Sequence, residues 1–174
     1  EERTALHHLV TKGKITEKED DTIEREYLFL HGKLEDGGWE HYEISNFGKS
    51  GKHALHNSNY WSGKAYLGIG PAAHSFDGVN KRRWNVSNNP AYIRALEKGE
   101  GYWEEEVLTD RDRSNELLMT GLRRSDGVDL SLLPDAHGKA ILQSADSLQG
   151  PLGDALQHQR GRLSIEPSKW LLAD

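Results

Sequence analysis

Apolar side chains recur along the chain at two spacings, and the change from one to the other outlines the fold. Ala5, Leu6, Leu9 and Val10 keep helical spacing up to Gly13, which predicts a helix over 4–12. Ile23, Tyr27, Leu30 and Leu34 share one face of a second helix, from Glu19 to about Asp36, ended by Gly37-Gly38. The run WEHYEISNF, with Trp39, Tyr42, Ile44 and Phe47, then reads as a strand. KAYLGIG predicts a second strand that stops on glycines, and RRWNV over 82–86 a third. Helix, glycine break and strand in this order predict an α/β unit with a largely buried sheet.

From Pro90 the pattern turns helical. Pro90 starts a short helix that Gly99 closes, and Thr109 caps a longer one, DRDRSNELLMTGLRR, with acids in its first turn. Residues 129–159 predict two or three short helices separated by Pro134, Gly138, Gly150 and Pro151. The end, GRLSIEPSKWLLAD, reads as a hairpin about a proline turn. Helices followed by a hairpin describe a small, mostly helical, winged-helix-like module. The boundary is expected near residue 100, giving domains 1–100 and 101–174.

Composition narrows the classes. At 174 residues the chain has room for one sizeable core, or a core and a small appended domain. No run nears the roughly 18 apolar residues needed to span a membrane, and the start lacks a signal-peptide pattern. There is no cysteine, which removes disulfides, thiolate zinc sites, iron–sulfur ligation and cysteine nucleophiles together. A cytoplasmic location is expected. The first residue is not methionine, so a piece of a longer protein is expected as well.

The net charge of −6 is unevenly spread. Residues 49–100 carry 8 basic and 3 acidic side chains, while both flanking segments are net negative. Within that positive segment, residues 56–75, HNSNYWSGKAYLGIGPAAHS, hold no acid at all. Such a local field suits a small anionic ligand. Nucleic acid is disfavoured, because the winged-helix-like tail from Leu108 has 8 basic and 10 acidic residues.

Several readings of this run stand side by side. Gly68, Gly70 and Ala73 satisfy the G-x-G-x-x-[GA] spacing of a pyrophosphate loop, yet no amphipathic helix follows and Pro71 interrupts it, so a structural turn is equally open. His53, His56 and His74 offer three imidazoles for zinc without an obvious fourth ligand. His56 with Tyr60 and Trp61 has the composition of a haem ligand flanked by flat apolar walls, or of a turn cap beside two core aromatics. The triplets Glu104–Glu106 and Lys81–Arg83 read as solvated faces, the second also as a partner for ligand carboxylates.

The order YEISNF (42–47), HNSNYW (56–61), YLGIGPAAHSF (66–76), RRWN (82–85) and NELLMTGLR (115–123) resembles the C-terminal half of oxygen-independent coproporphyrinogen III oxidase-like proteins. The likeness is strongest from 39 to 127 and, through HNxxYW, nearest to the radical-SAM haem chaperones. A loop GKSGKHAL stands where the family more often has alanine–x–proline–glycine. The resemblance implies an incomplete (β/α) barrel holding a [4Fe–4S] cluster and S-adenosylmethionine, followed by a small accessory domain. It implies that this chain holds the last barrel strands, about 42–47 and 66–70, without the three cluster cysteines. No radical chemistry is then expected of it alone, and no catalytic residue is assigned.

The same resemblance places haem at His56, Asn57, Tyr60 and Trp61, with His56 as iron ligand, and S-adenosylmethionine or substrate at Gly68, Gly70 and His74. Expected partners are haem or another porphyrin and a haem-accepting protein, with homo-oligomers through an exposed barrel edge. The alternative is a fragment of the oxidase itself, which decarboxylates porphyrin propionates. A third reading is a structural and interaction domain.

Overall fold

A computed structural model describes residues 4–173. They divide into two compact units, parting between Trp39 and Glu40.

The first unit is helical. Helix α1 (Ala5–Thr11) starts where the Thr4 hydroxyl accepts from the His7 N–H at 3.2 Å. Helix α2 (Asp20–Asp36) has Asp20 and Asp21 in its first turn, where they meet the positive end of the helix dipole. Neither helix buries a residue.

The second unit is built on three small antiparallel sheets. Strands β1 (Glu40–Glu43) and β2 (Asn46–Gly48) form a hairpin, so the expected single strand over 42–47 folds back on itself at Ile44-Ser45. After helix α3 (Leu55–Trp61) come β3 (His74–Phe76), β4 (Lys81–Asn85) and, past helix α4 (Asn89–Lys98), β5 (Trp103–Val107), in the order β3-β4-β5. The strand predicted at KAYLGIG shrinks to one bridge, Tyr66 to Phe76. Two glycines and Pro71 follow within five residues, and they weaken a ladder through entropy and a missing donor.

The β4–β5 ladder corrects the reading of both charged triplets. Arg83 Nε donates to Glu105 at 2.6 Å, and Arg82 reaches Glu106 at 3.3 Å and Glu116 at 2.6 Å. The triplets are cross-strand partners rather than separate solvated faces.

Helix α5 (Asp110–Gly121) opens on a capping box: Thr109 Oγ1 accepts from the Asp112 N–H at 3.2 Å, and Asp112 accepts from the Thr109 N–H at 2.9 Å. Helices α6 (Asp135–Ser147) and α7 (Pro151–Ala155) follow, and β6 (Val128–Asp129), β7 (Leu156–Gln159) and β8 (Arg162–Ile165) pair as β6-β8-β7. Val128, Leu133 and Leu163 form its core, packed by Leu117, Leu118, Leu130 and Ile141. This closing segment is a run of helices ending in a hairpin.

Its hairpin turns one step earlier than expected. Arg160 and Gly161 both have positive φ and make the tight turn, while Pro167–Ala173 coils into a 3-10 helix. That coil inserts Trp170, 0% exposed, whose indole N–H donates to the Ile165 carbonyl at 3.0 Å. The fold is α/β, and no sheet closes into a barrel among the described residues.

Candidate functional site

The HNSNYW segment forms α3, and the hairpin before it fixes where the helix begins. The Tyr42 hydroxyl accepts from the Ala54 N–H at 3.3 Å, just ahead of the first turn. The Tyr42 ring stacks on His53 at 4.1 Å between centroids, and His53 Nε2 meets Glu40 at 2.7 Å. Hydrogen bonds from Ser50 and then His53 hold the Glu40 carboxyl below the usual carboxylate range.

Helical spacing sorts the four expected haem residues into two pairs, because i and i+4 share a face. Asn57 and Trp61 face the protein. Asn57 Nδ2 donates to Asn46 Oδ1 at 3.4 Å, and Asn46 in turn donates to the buried Glu43 carboxylate. Trp61 is half-buried, with Tyr42 6.2 Å away on one side and the Arg124 guanidinium over its ring. His56 and Tyr60 face outward and meet edge to face at 4.8 Å.

The three candidate histidines are in different states. His53 is occupied by Glu40 and Tyr42. His56 is exposed, and its imidazole has no hydrogen-bond partner among the described residues. His74 is exposed too, 6.3 Å from the Trp84 ring. They do not converge: among the described residues no group of three or more histidine, aspartate or glutamate side chains is placed to hold a metal ion.

The glycine-rich loop is tied to its own chain. The Gly68 N–H donates to Ser75 Oγ at 2.9 Å and the Gly70 N–H to the Tyr92 hydroxyl at 3.3 Å. Asn85, only 6% exposed, donates to the carbonyls of Gly68 and Gly70 at 3.4 and 2.8 Å. A Cβ on Gly68 would lie 2.1 Å from the His74 carbonyl oxygen, and Gly70 has φ of +106°. Both glycines thus have a structural reason to be glycine. A groove of about 540 Å³ beside the loop is lined by Ala72, His74, Trp84, Val86, Tyr102 and Trp103.

A second concavity, about 200 Å³, is bordered by Tyr60 and Trp61 of α3. Its walls are Tyr60, Trp61, Tyr66, Phe76 and Leu117, and its polar groups are Arg82, Glu116 and Arg113. Burial, the largest influence, raises the Tyr66 phenol above its ordinary pKa. Neither Arg113 nor Glu116 is among the site residues that the sequence singles out. Their helix was legible, but only the fold shows that one of its faces meets α3.

No family model matches the chain. The heme chaperone HemW of Bacillus subtilis (strain 168) is 32% identical over 142 residues, which are 81% of this chain and 37% of that protein. HemW of Mycobacterium tuberculosis (strain ATCC 25618 / H37Rv) is 35% identical over 96 residues, 55% of this chain and 24% of its own. The mitochondrial radical S-adenosyl methionine domain-containing protein 1 of Danio rerio is 29% identical over 136 residues, 74% of this chain and 31% of its own. Among solved structures, the coproporphyrinogen III oxidase (HemN) of Escherichia coli, a radical-SAM enzyme, superposes with a TM-score of 0.57. It is 16% identical over 82% of this chain and 37% of its own, a likeness of fold.

The chain therefore belongs to the coproporphyrinogen III oxidase-like radical-SAM proteins. Its matches include relatives named heme chaperone and relatives named radical S-adenosyl methionine domain-containing protein, and the chain spans about a third of their length.

Proposed function

We propose that this chain is the haem-contacting part of a cytoplasmic haem chaperone, which binds haem at α3 and passes it to an accepting protein. The observation that carries the reading is the state of His56. Its imidazole is exposed and has no hydrogen-bond partner among the described residues, on a helix that Asn57 and Trp61 hold from the opposite face. A neutral imidazole free at both nitrogens suits an axial iron ligand. Tyr60 stands edge-on beside it as a wall for the macrocycle.

The chain's residues do not fit the [4Fe–4S] cluster that the family implies, because that group needs thiolates and the chain has no cysteine. For S-adenosylmethionine or substrate, the Gly68 and Gly70 N–H groups are already bonded, which leaves His74 and its aromatic groove as the open part of the loop.

The test is a haem titration followed at the Soret band, with His56→Ala alongside. Saturable binding that weakens at least about tenfold in the variant, with a shifted Soret maximum, is the expected result. Equal binding and an identical spectrum in His56→Ala would overturn the assignment.

A further inference from the structure

We infer that the 200 Å³ concavity beside α3 is an anion subsite in which Arg113 takes a carboxylate. On the haem reading, on which this inference rests, that carboxylate is a porphyrin propionate.

Charge pairing within the concavity singles out Arg113. Arg82 is already engaged, with Nη2 2.6 Å from Glu116 and Nη1 3.3 Å from Glu106. Glu116 lines the same space, and its charge is met by Arg82. The Arg113 side chain makes no ion pair or hydrogen bond among the described residues. It is the uncompensated charge of the concavity. It stands on the same face of α5 as Glu116, Leu117 and Thr120, at i, i+3, i+4 and i+7.

The surroundings suit an anionic group carried on a flat apolar body. The exposed Arg113 guanidinium offers parallel N–H donors that match a carboxylate bidentately. Tyr60, Trp61, Tyr66 and Phe76 supply aromatic walls. Tyr60 is common to both places: it borders the concavity and lies 4.8 Å from the His56 ring. A ligand held by iron at His56 with an edge reaching past Tyr60 would bring an acid side chain toward Arg113.

The experiment compares haem with iron protoporphyrin IX dimethyl ester, whose propionates cannot ionise, on wild type, Arg113→Ala and Arg113→Gln. The expected result is haem affinity lowered roughly tenfold in both variants with an unmoved Soret maximum, and ester affinity unchanged. Equal haem affinity in the variants, or equal loss for haem and ester, would overturn the subsite while leaving the haem reading intact. A wild-type chain that takes up neither porphyrin would overturn the haem reading, and the subsite with it. Thermal melts of both variants separate a lost contact from a lost fold.

Discussion

The Arg124 guanidinium lies 5.7 Å from the centroid of the Trp61 ring and donates from Nη1 to the Trp61 carbonyl at 3.4 Å. One side chain therefore holds both the last ring and the last turn of α3. The Arg124 side chain is also ion-paired with Asp126, and its backbone pairs with that of Glu43 in an isolated antiparallel bridge, so the mooring joins α3, the first hairpin and the approach to β6.

Trp61→Ala should consequently cost stability as well as haem affinity. Full burial of such a ring is worth about 3–5 kcal/mol, and Trp61 is only half-buried, so a loss of about 2 kcal/mol is expected. Urea unfolding measures it. Trp61→Phe should recover about half, since it keeps an apolar ring under the guanidinium with a weaker π-face. A loss below about 0.5 kcal/mol in Trp61→Ala would show that the mooring carries no weight.

Asn57→Ala should separate positioning from ligation. Removing its 3.4 Å hydrogen bond to Asn46 frees the inner face of α3 and leaves the His56 imidazole in place. A stability loss of about 1 kcal/mol and a several-fold weaker haem titration are expected, with the Soret maximum where wild type has it. A shifted maximum would mean that Asn57 touches the iron site itself.

Helices α1, α2, α4 and α5 were legible because their signals are local, whereas α3, which carries HNSNYW and has no side-chain cap, was not. The Gly13 and Gly37-Gly38 stops, Pro90 with Gly99, and Thr109 at its cap each act within a few residues. The sheets were harder to read. The fold-back at Ile44-Ser45 has no glycine or proline to mark it; Tyr42 and Ile44 are buried there, and the Ile44 N–H donates to the distant Arg123 carbonyl at 2.9 Å. The terminal proline drew the expected turn to Pro167, whereas Arg160-Gly161 makes it, with a non-glycine residue at positive φ. At the site, the motif marked His56 and Tyr60 as chemistry-bearing, but their opposite orientation to Asn57 and Trp61 follows only from the helix. Arg113 carried no signal at all, because its meaning lies in which neighbouring cations are already paired.

Gly68 and Gly101 make a matched test of the glycine-rich loop. A methyl on Gly68 meets the His74 carbonyl oxygen at 2.1 Å, a contact only backbone movement relieves, while a methyl on Gly101 meets nothing within 4 Å. Gly68→Ala should therefore lower stability by about 1–3 kcal/mol, as overpacking does, and Gly101→Ala should stay within about 0.5 kcal/mol of wild type. Thermal melts of the two variants check this. If the loop tolerates Gly68→Ala, the close approach to His74 is not what requires glycine.

The Glu40 clamp on the entry to α3 gives a pH dependence whose sign can be worked out. Ser50 and His53 stabilise the ionised carboxylate, so its pKa is depressed on folding. A depressed carboxylate contributes stability above its unfolded pKa and loses it as pH falls through the folded one. Glu40→Gln, which cannot ionise, should melt below wild type near pH 7, and the gap should close as pH drops under about 4. Melting curves of both proteins across that range measure it. Because Glu40 holds His53, and His53 stacks on the Tyr42 ring whose hydroxyl bonds the Ala54 N–H, the variant should also bind haem more weakly at neutral pH. A constant gap from pH 7 to 3 would show that Glu40 acts through its shape and not its charge.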